Sequence, residues 1–234
     1  MEEPDSLWPP TPKDKAIGWP VDSRPPLAAE LCVLSLIRKL DILAFHMAGL
    51  LGTLKIATHK GAPSWIITDR AALSAEARRM DGTLWDGNKK SLALAGSKKN
   101  APVGLVTFNA DLDRLKNIVL VEGAPDYFAA LALAIDSITG FRPAAVLGAG
   151  CPITTDPGRE FGVPGSEFAE ARVLIIPHND PAGVSAAGQW SRQLYSLGAA
   201  RVRVQALPES YKDLNEFVSA PNEDHSTILQ WLQA

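Results

Sequence analysis

Glu122, Asp126 and Asp180 are the residues of this sequence whose types and settings best suit chemistry. Ile118 to Val121 is a β-branched apolar run that stops at Glu122 and Gly123, with Asp126 three residues on. Val173 to Ile176 is a second such run, and it stops at Pro177, His178, Asn179 and Asp180, with Gly183 behind. Carboxylates from two separate segments repel one another when brought together, and a hard divalent cation, Mg²⁺ first, relieves that repulsion. Each acid also has a plainer role. Asp180 before Pro181 suits a helix N-cap, and Asp126 suits the acidic first turn of a helix; both are compatible with a site.

Buried parallel strands are required to deliver acids at their C-terminal tips in this way, and open α/β sheets place their sites there. Helical patterns follow each tip, from Asp126 to Ile138 and from Ala182 to Leu197, the second with Trp190, Leu194 and Leu197 on one stripe. Ala144 to Gly150 and Arg201 to Leu207 read as further parallel strands, and the first ends in a glycine turn. Upstream, Leu27 to Leu40 and Leu40 to Gly52 have helical spacing, and residues 53–58 and 64–68 form a predicted hairpin. Residues 75–82 and 90–97 extend that lobe before the turn Lys98 to Pro102, and Asn109 to Lys116 is a polar connection. Cys151 to Phe168, rich in Pro and Gly, is expected to be an irregular loop over the site, and a helix is expected from Glu223 to Leu232. Residues 1–26 hold seven prolines and read as an extended arm.

The chain's net charge of −3 gives no general pull toward nucleic acid, but its distribution does. Between Arg70 and Asn100, seven basic residues stand against three acidic ones, a local surface suited to phosphates. Cys32 and Cys151 have no metal-ligand spacing, so no zinc is expected. No apolar run reaches the ~18 residues of a membrane span, and the acidic start is not a signal peptide, so a soluble cytoplasmic protein without a membrane partner is expected. His46, His59 and His225 lack partner spacing and read as surface or packing histidines.

The two strand tips resemble the Toprim domain, whose pattern is Glu-Gly after one strand and Asp-x-Asp-x-x-Gly after another. Glu122 and Gly123 match the first part. Asp180 and Gly183 match the second, with His178 where the first Asp stands in the family. The continuation Pro181, Ala182, Gly183 and the element Lys212, Asp213, Leu214, Asn215 resemble phage and plasmid primases of the DnaG type. The resemblance implies an α/β fold: a Rossmann-like parallel Toprim sheet with flanking helices over 111–234, preceded by a smaller mixed α+β primase-like lobe over 27–110. It implies RNA primer synthesis on a single-stranded DNA template from ribonucleoside triphosphates, in mobile-element replication, with a replicative helicase as partner. Glu122 and Asp180 would be catalytic, and Glu122, Asp126, His178, Asp180 and Asp213 would hold Mg²⁺ or Mn²⁺. Arg78, Arg79, Lys89, Lys90, Lys98 and Lys99 would contact nucleotide or DNA. An imidazole at 178 favours Mn²⁺ over Mg²⁺ and, with an ordinary pKa of ~6.5, would repel a cation below that pH. Two other Toprim activities fit the same residues: a nuclease that hydrolyses DNA, and a RecR-like protein that binds DNA or a partner without turnover.

Overall fold

The computed structural model describes residues 17–136, 140–148, 150–162, 166–221, 225, 228 and 230. Two helices open the chain, α1 (Ala28–Arg38) and α2 (Ile42–Leu50). The Glu30 carboxylate accepts the Leu27 backbone N–H at 2.7 Å and pairs with Arg24, which fixes the start of α1. Lys39 ends it in the left-handed region, and Asp41 caps α2 by accepting the Leu43 N–H at 2.8 Å.

An antiparallel sheet follows, in the order β1 (Leu54–His59), β2 (Ala62–Ile67), β3 (Glu76–Arg79) and β4 (Leu92–Ala93). Lys60 and Gly61, both at positive φ, make the two-residue turn between β1 and β2, whose twist matches that of paired strands. In the arm, Arg24 bridges to Ile56 and Trp19 lies under the Lys55 ammonium at 4.4 Å, while residues 1–16 lie outside the described part. The short helix α3 (Ala110–Asp113) then leads to the second sheet.

That sheet is parallel, in the order β6 (Arg142–Val146), β5 (Asn117–Glu122), β7 (Arg172–Ile176) and β8 (Arg201–Val204). Helix α4 (Ala124–Asp136) links β5 to β6, and α6 (Pro181–Ser196) links β7 to β8. Both faces of the central strands are covered, which is why their sequences read as unbroken apolar runs. Val119, Val121, Leu174 and Ile176 share a core with α4, α1, α2 and the Trp65 face of the antiparallel sheet. Ile118, Leu120, Val173 and Ile175 pack with Trp190 and Leu194 of α6. Phe128 of α4 joins the two sheets, its ring 4.9 Å from Phe45 and 5.5 Å from Trp65. The chain crosses from β6 over β5 to β7, so the connections diverge at the tips of β5 and β7 and open a crevice there.

Two local readings of the sequence are corrected. Residues 151–162 and 166–168 do not cover the crevice, and they include a short helix, α5 (Pro157–Phe161). Ile153 and Phe168 pack on the α6 face, held by a Trp190 indole N–H bond to the Cys151 carbonyl at 2.8 Å. Strand β8 ends at Val204, where the chain leaves the sheet, and strand β6 begins at Arg142. The Arg142 guanidinium is fully buried against Glu167 at 2.6 Å. The helix expected over 223–232 lies largely outside the described residues. Helix α7 (Leu214–Ser219) packs against α4.

Candidate active site

A cavity of about 620 Å³ lies between the tips of β5 and β7, the start of α7, the end of α1 and strand β3. Glu122 ends β5 with its carboxylate buried, and its Oε2 has no hydrogen-bond partner among the described residues. Gly123 turns the chain sharply at φ +84°, a conformation side chains rarely adopt, and starts α4 so that Asp126 falls in its first turn. Asp126 is 1% exposed. Its Oδ2 lies 2.8 Å from His178 Nε2, and its Oδ1 accepts the Asn215 backbone N–H at 3.0 Å. His178 Nδ1 lies 3.7 Å from Glu122 Oε1. Asp213 caps α7 through the Glu216 N–H at 2.9 Å, and its carboxylate, that of Asp126 and a His178 ring nitrogen all lie within 4.8 Å of one another.

Asn179, between the two motif positions, fixes the loop that brings Asp213 here. Its Nδ2 lies within 3.0 Å of the carbonyl oxygens of Leu207, Pro208 and Tyr211, and its backbone N–H donates to the Lys212 carbonyl at 2.8 Å. Gly183 is needed behind it, because a Cβ there would sit 2.4 Å from the His178 carbonyl oxygen.

The charges are strongly coupled. Burial raises the Asp126 and Glu122 carboxyls above their ordinary range. Burial alone would lower His178, but the hydrogen bond to Asp126 and the charges of Asp126, Glu122 and Asp213 outweigh it and hold it at about 9. His178 is therefore an imidazolium at neutral pH, which corrects the ordinary value expected from sequence.

The opposite wall is basic. Arg78, Arg79 and Lys90 line it, together with Glu76, which Arg78 contacts at 3.2 Å. Arg38, from the end of α1, was not foreseen. Its guanidinium lies 5.4 Å from the Trp65 ring and that of Arg78 lies 5.8 Å from the same ring, both lining the crevice. Burial and the nearby Arg78 charge lower Arg38 to about 10, and its Nε is buried without a partner among the described residues. Asn215 was also missed: its side chain donates to the Arg38 carbonyl at 3.0 Å, tying α1 to the acidic wall.

Other candidates lie elsewhere. Asp180 does not line the cavity. It caps α6, accepting the Gly183 N–H at 2.8 Å, with its charge near enough to raise Glu122. Lys98 pairs with Glu160 at 2.9 Å, Lys99 lines a smaller neighbouring cavity, and Lys89 is exposed outside the crevice. His46 is exposed, His59 packs edge-on against Trp85, and His225 packs against Phe217.

The acidic wall fits a divalent cation. It presents a buried carboxylate oxygen on Glu122 that has no partner among the described residues, and the ligand cluster of Asp126, His178 and Asp213, oxygen-rich with one imidazole.

No family model and no curated protein matches the chain. Solved structures do. The catalytic core of DnaG matches with a TM-score of 0.58 at 16% identity, over 89% of this chain and 74% of that one. The fold is that of primase catalytic cores. The primase fragment of the bacteriophage T7 primase-helicase protein matches at 0.53 and 19% identity, over 95% of this chain and 79% of that one. The Escherichia coli primase catalytic core matches at 0.56 and 15% identity, over 88% and 74%. No described helix is long and apolar enough to cross a membrane.

Proposed function

We propose that this chain is a primase-like nucleotidyltransferase that joins ribonucleoside triphosphates on a single-stranded DNA template. The observation that carries the reading is one crevice, at the switch point of a primase-core fold, with carboxylates on one wall and arginines on the other. We assign the acidic wall to a Toprim domain over residues 111–234 and the basic wall to a smaller lobe over 27–110, which we place in mobile-element replication beside a helicase. Glu122, Asp126, His178 and Asp213 would hold Mg²⁺ or Mn²⁺, with Asp180 as a more distant charge. That ion would activate the primer hydroxyl and neutralise the triphosphate. Arg38 and Arg78, with Arg79 and Lys90 beside them, bind the phosphates of nucleotide or template and align them across from the acids. Glu122 presents its free buried oxygen to the same space, where it can accept a proton from an attacking hydroxyl.

A second reading, a Toprim-type protein that binds DNA without turnover, is favoured by one observation. The His178 imidazolium itself neutralises Asp126, which leaves less unbalanced charge for a cation. One assay separates the readings: single-stranded DNA, labelled ribonucleotides and Mg²⁺ or Mn²⁺, scored for extension, degradation or neither. Extension that Glu122→Gln abolishes, with the melting temperature preserved, supports the polymerase. Degradation points to a nuclease, and DNA binding with neither product refutes both enzymes.

A further inference from the structure

Beside the main crevice lies a second cavity of about 220 Å³, lined by Glu76, Ser91, Ser97, Lys99, Gly148 and Cys151 among others. Glu76, Ser91 and Gly148 line both cavities, so the two are immediate neighbours at the seam between the two sheets. Its volume is below the ~300 Å³ at which pockets begin to hold a whole drug-sized ligand, so it takes one ring of a ligand whose remainder lies in the crevice. None of its described lining residues is aromatic, and they offer no stacking platform for a base. Its polar groups instead suit hydroxyls. Ser91 makes no side-chain hydrogen bond to another described residue, and Lys99 makes no ion pair with one. Glu76 uses Oε1 toward Arg78, which leaves Oε2 to accept. A carboxylate beside a hydroxyl and an ammonium is a set that grips the vicinal hydroxyls of a ribose, as acidic residues do at dinucleotide sites.

We propose that this side cavity is a sugar pocket, in which Ser91 and Glu76 hold the 2′-hydroxyl of a nucleotide whose phosphates lie in the main crevice. The proposal rests on the nucleotide reading of that crevice. A site built to bind a hydroxyl rejects the ligand that lacks it, because its own polar groups are then left unpaired. Cys151 reports occupancy, since it lines the pocket and Cys32, the other cysteine, is exposed on α1.

The test uses the full chain with Mn²⁺, measuring ATP, dATP and tripolyphosphate affinities, and iodoacetamide modification of Cys151 in a Cys32→Ser background. ATP should bind at least ~10-fold more tightly than dATP, and Ser91→Ala should shrink that ratio at least ~5-fold while leaving tripolyphosphate affinity unchanged. Saturating ATP should slow alkylation of Cys151, and tripolyphosphate should not. Equal affinities for ATP and dATP, or alkylation indifferent to bound ATP, would overturn the sugar pocket while the crevice reading stands. Failure of both ATP and tripolyphosphate to bind would overturn the crevice reading and the pocket with it.

Discussion

Replacing Asp126 by Asn removes the charge beside His178 and almost nothing else. The Asn carbonyl oxygen can still accept the Asn215 N–H, and the side chain fills the same buried volume. His178 then keeps its burial but loses the bond and the nearest charge that hold it at about 9, so its pKa should fall to the ordinary 6.5 or below. A shift of that size is worth roughly 3 kcal/mol at ~1.4 kcal/mol per pH unit. The sign for stability follows from proton counts. Between pH 6.5 and about 9 the folded chain binds a proton on His178 that the unfolded chain does not. The pair's contribution is therefore complete below 6.5 and is lost as pH rises through 9. Asp126, raised by burial, acts with the same sign but in the more acidic carboxylate range. In EDTA, proton NMR of the imidazole gives the pKa directly, and urea denaturation between pH 6 and 9.5 gives the slope. Asp126→Asn should bring the pKa down and flatten the slope. A His178 in the parent protein that titrates near 6.5, or one that stays near 9 in Asp126→Asn, would refute the coupling.

Three further outcomes are expected. Arg142→Ala leaves Glu167 buried without its cation, which should cost ~3–5 kcal/mol in urea denaturation. Gly183→Ala drives a methyl into the His178 carbonyl and should cost ~1–3 kcal/mol while shifting the His178 NMR signals. Arg38→Ala and Arg78→Ala should each lower the salt dependence of single-stranded DNA binding by about one unit of slope. Lys98→Ala, outside the crevice and already paired, should leave that slope unchanged.

The parts of this molecule legible in the sequence are those fixed by neighbours in the chain. An apolar β-branched run followed by Glu122-Gly123 reads as a buried strand entering a tight turn, and residues 173–183 encode the next strand and helix in the same local terms. The same local grammar hides the role of Asp180. Asp before Pro181 is both a motif acid and an ideal N-cap, and the bond to the Gly183 N–H directs its Oδ1 into the helix start. Lys98 and Lys99 are adjacent in sequence and part company in space, one to Glu160 and the other to the side cavity; no count of charges could separate them. Arg38 ends a helix, where a basic residue already suits the dipole, so nothing marks it as a wall of the crevice until α1 is packed beside Trp65. His178 departs most from expectation for the same reason. Its protonation is set by Asp126, 52 residues away, and by Asp213, which Asn179 holds in place by gripping the carbonyls of the 207–211 loop. A histidine at position 178 thus sets what the site does without metal: it supplies its own positive charge, and any divalent ion that takes His178 as a ligand must first displace a proton held at about 9.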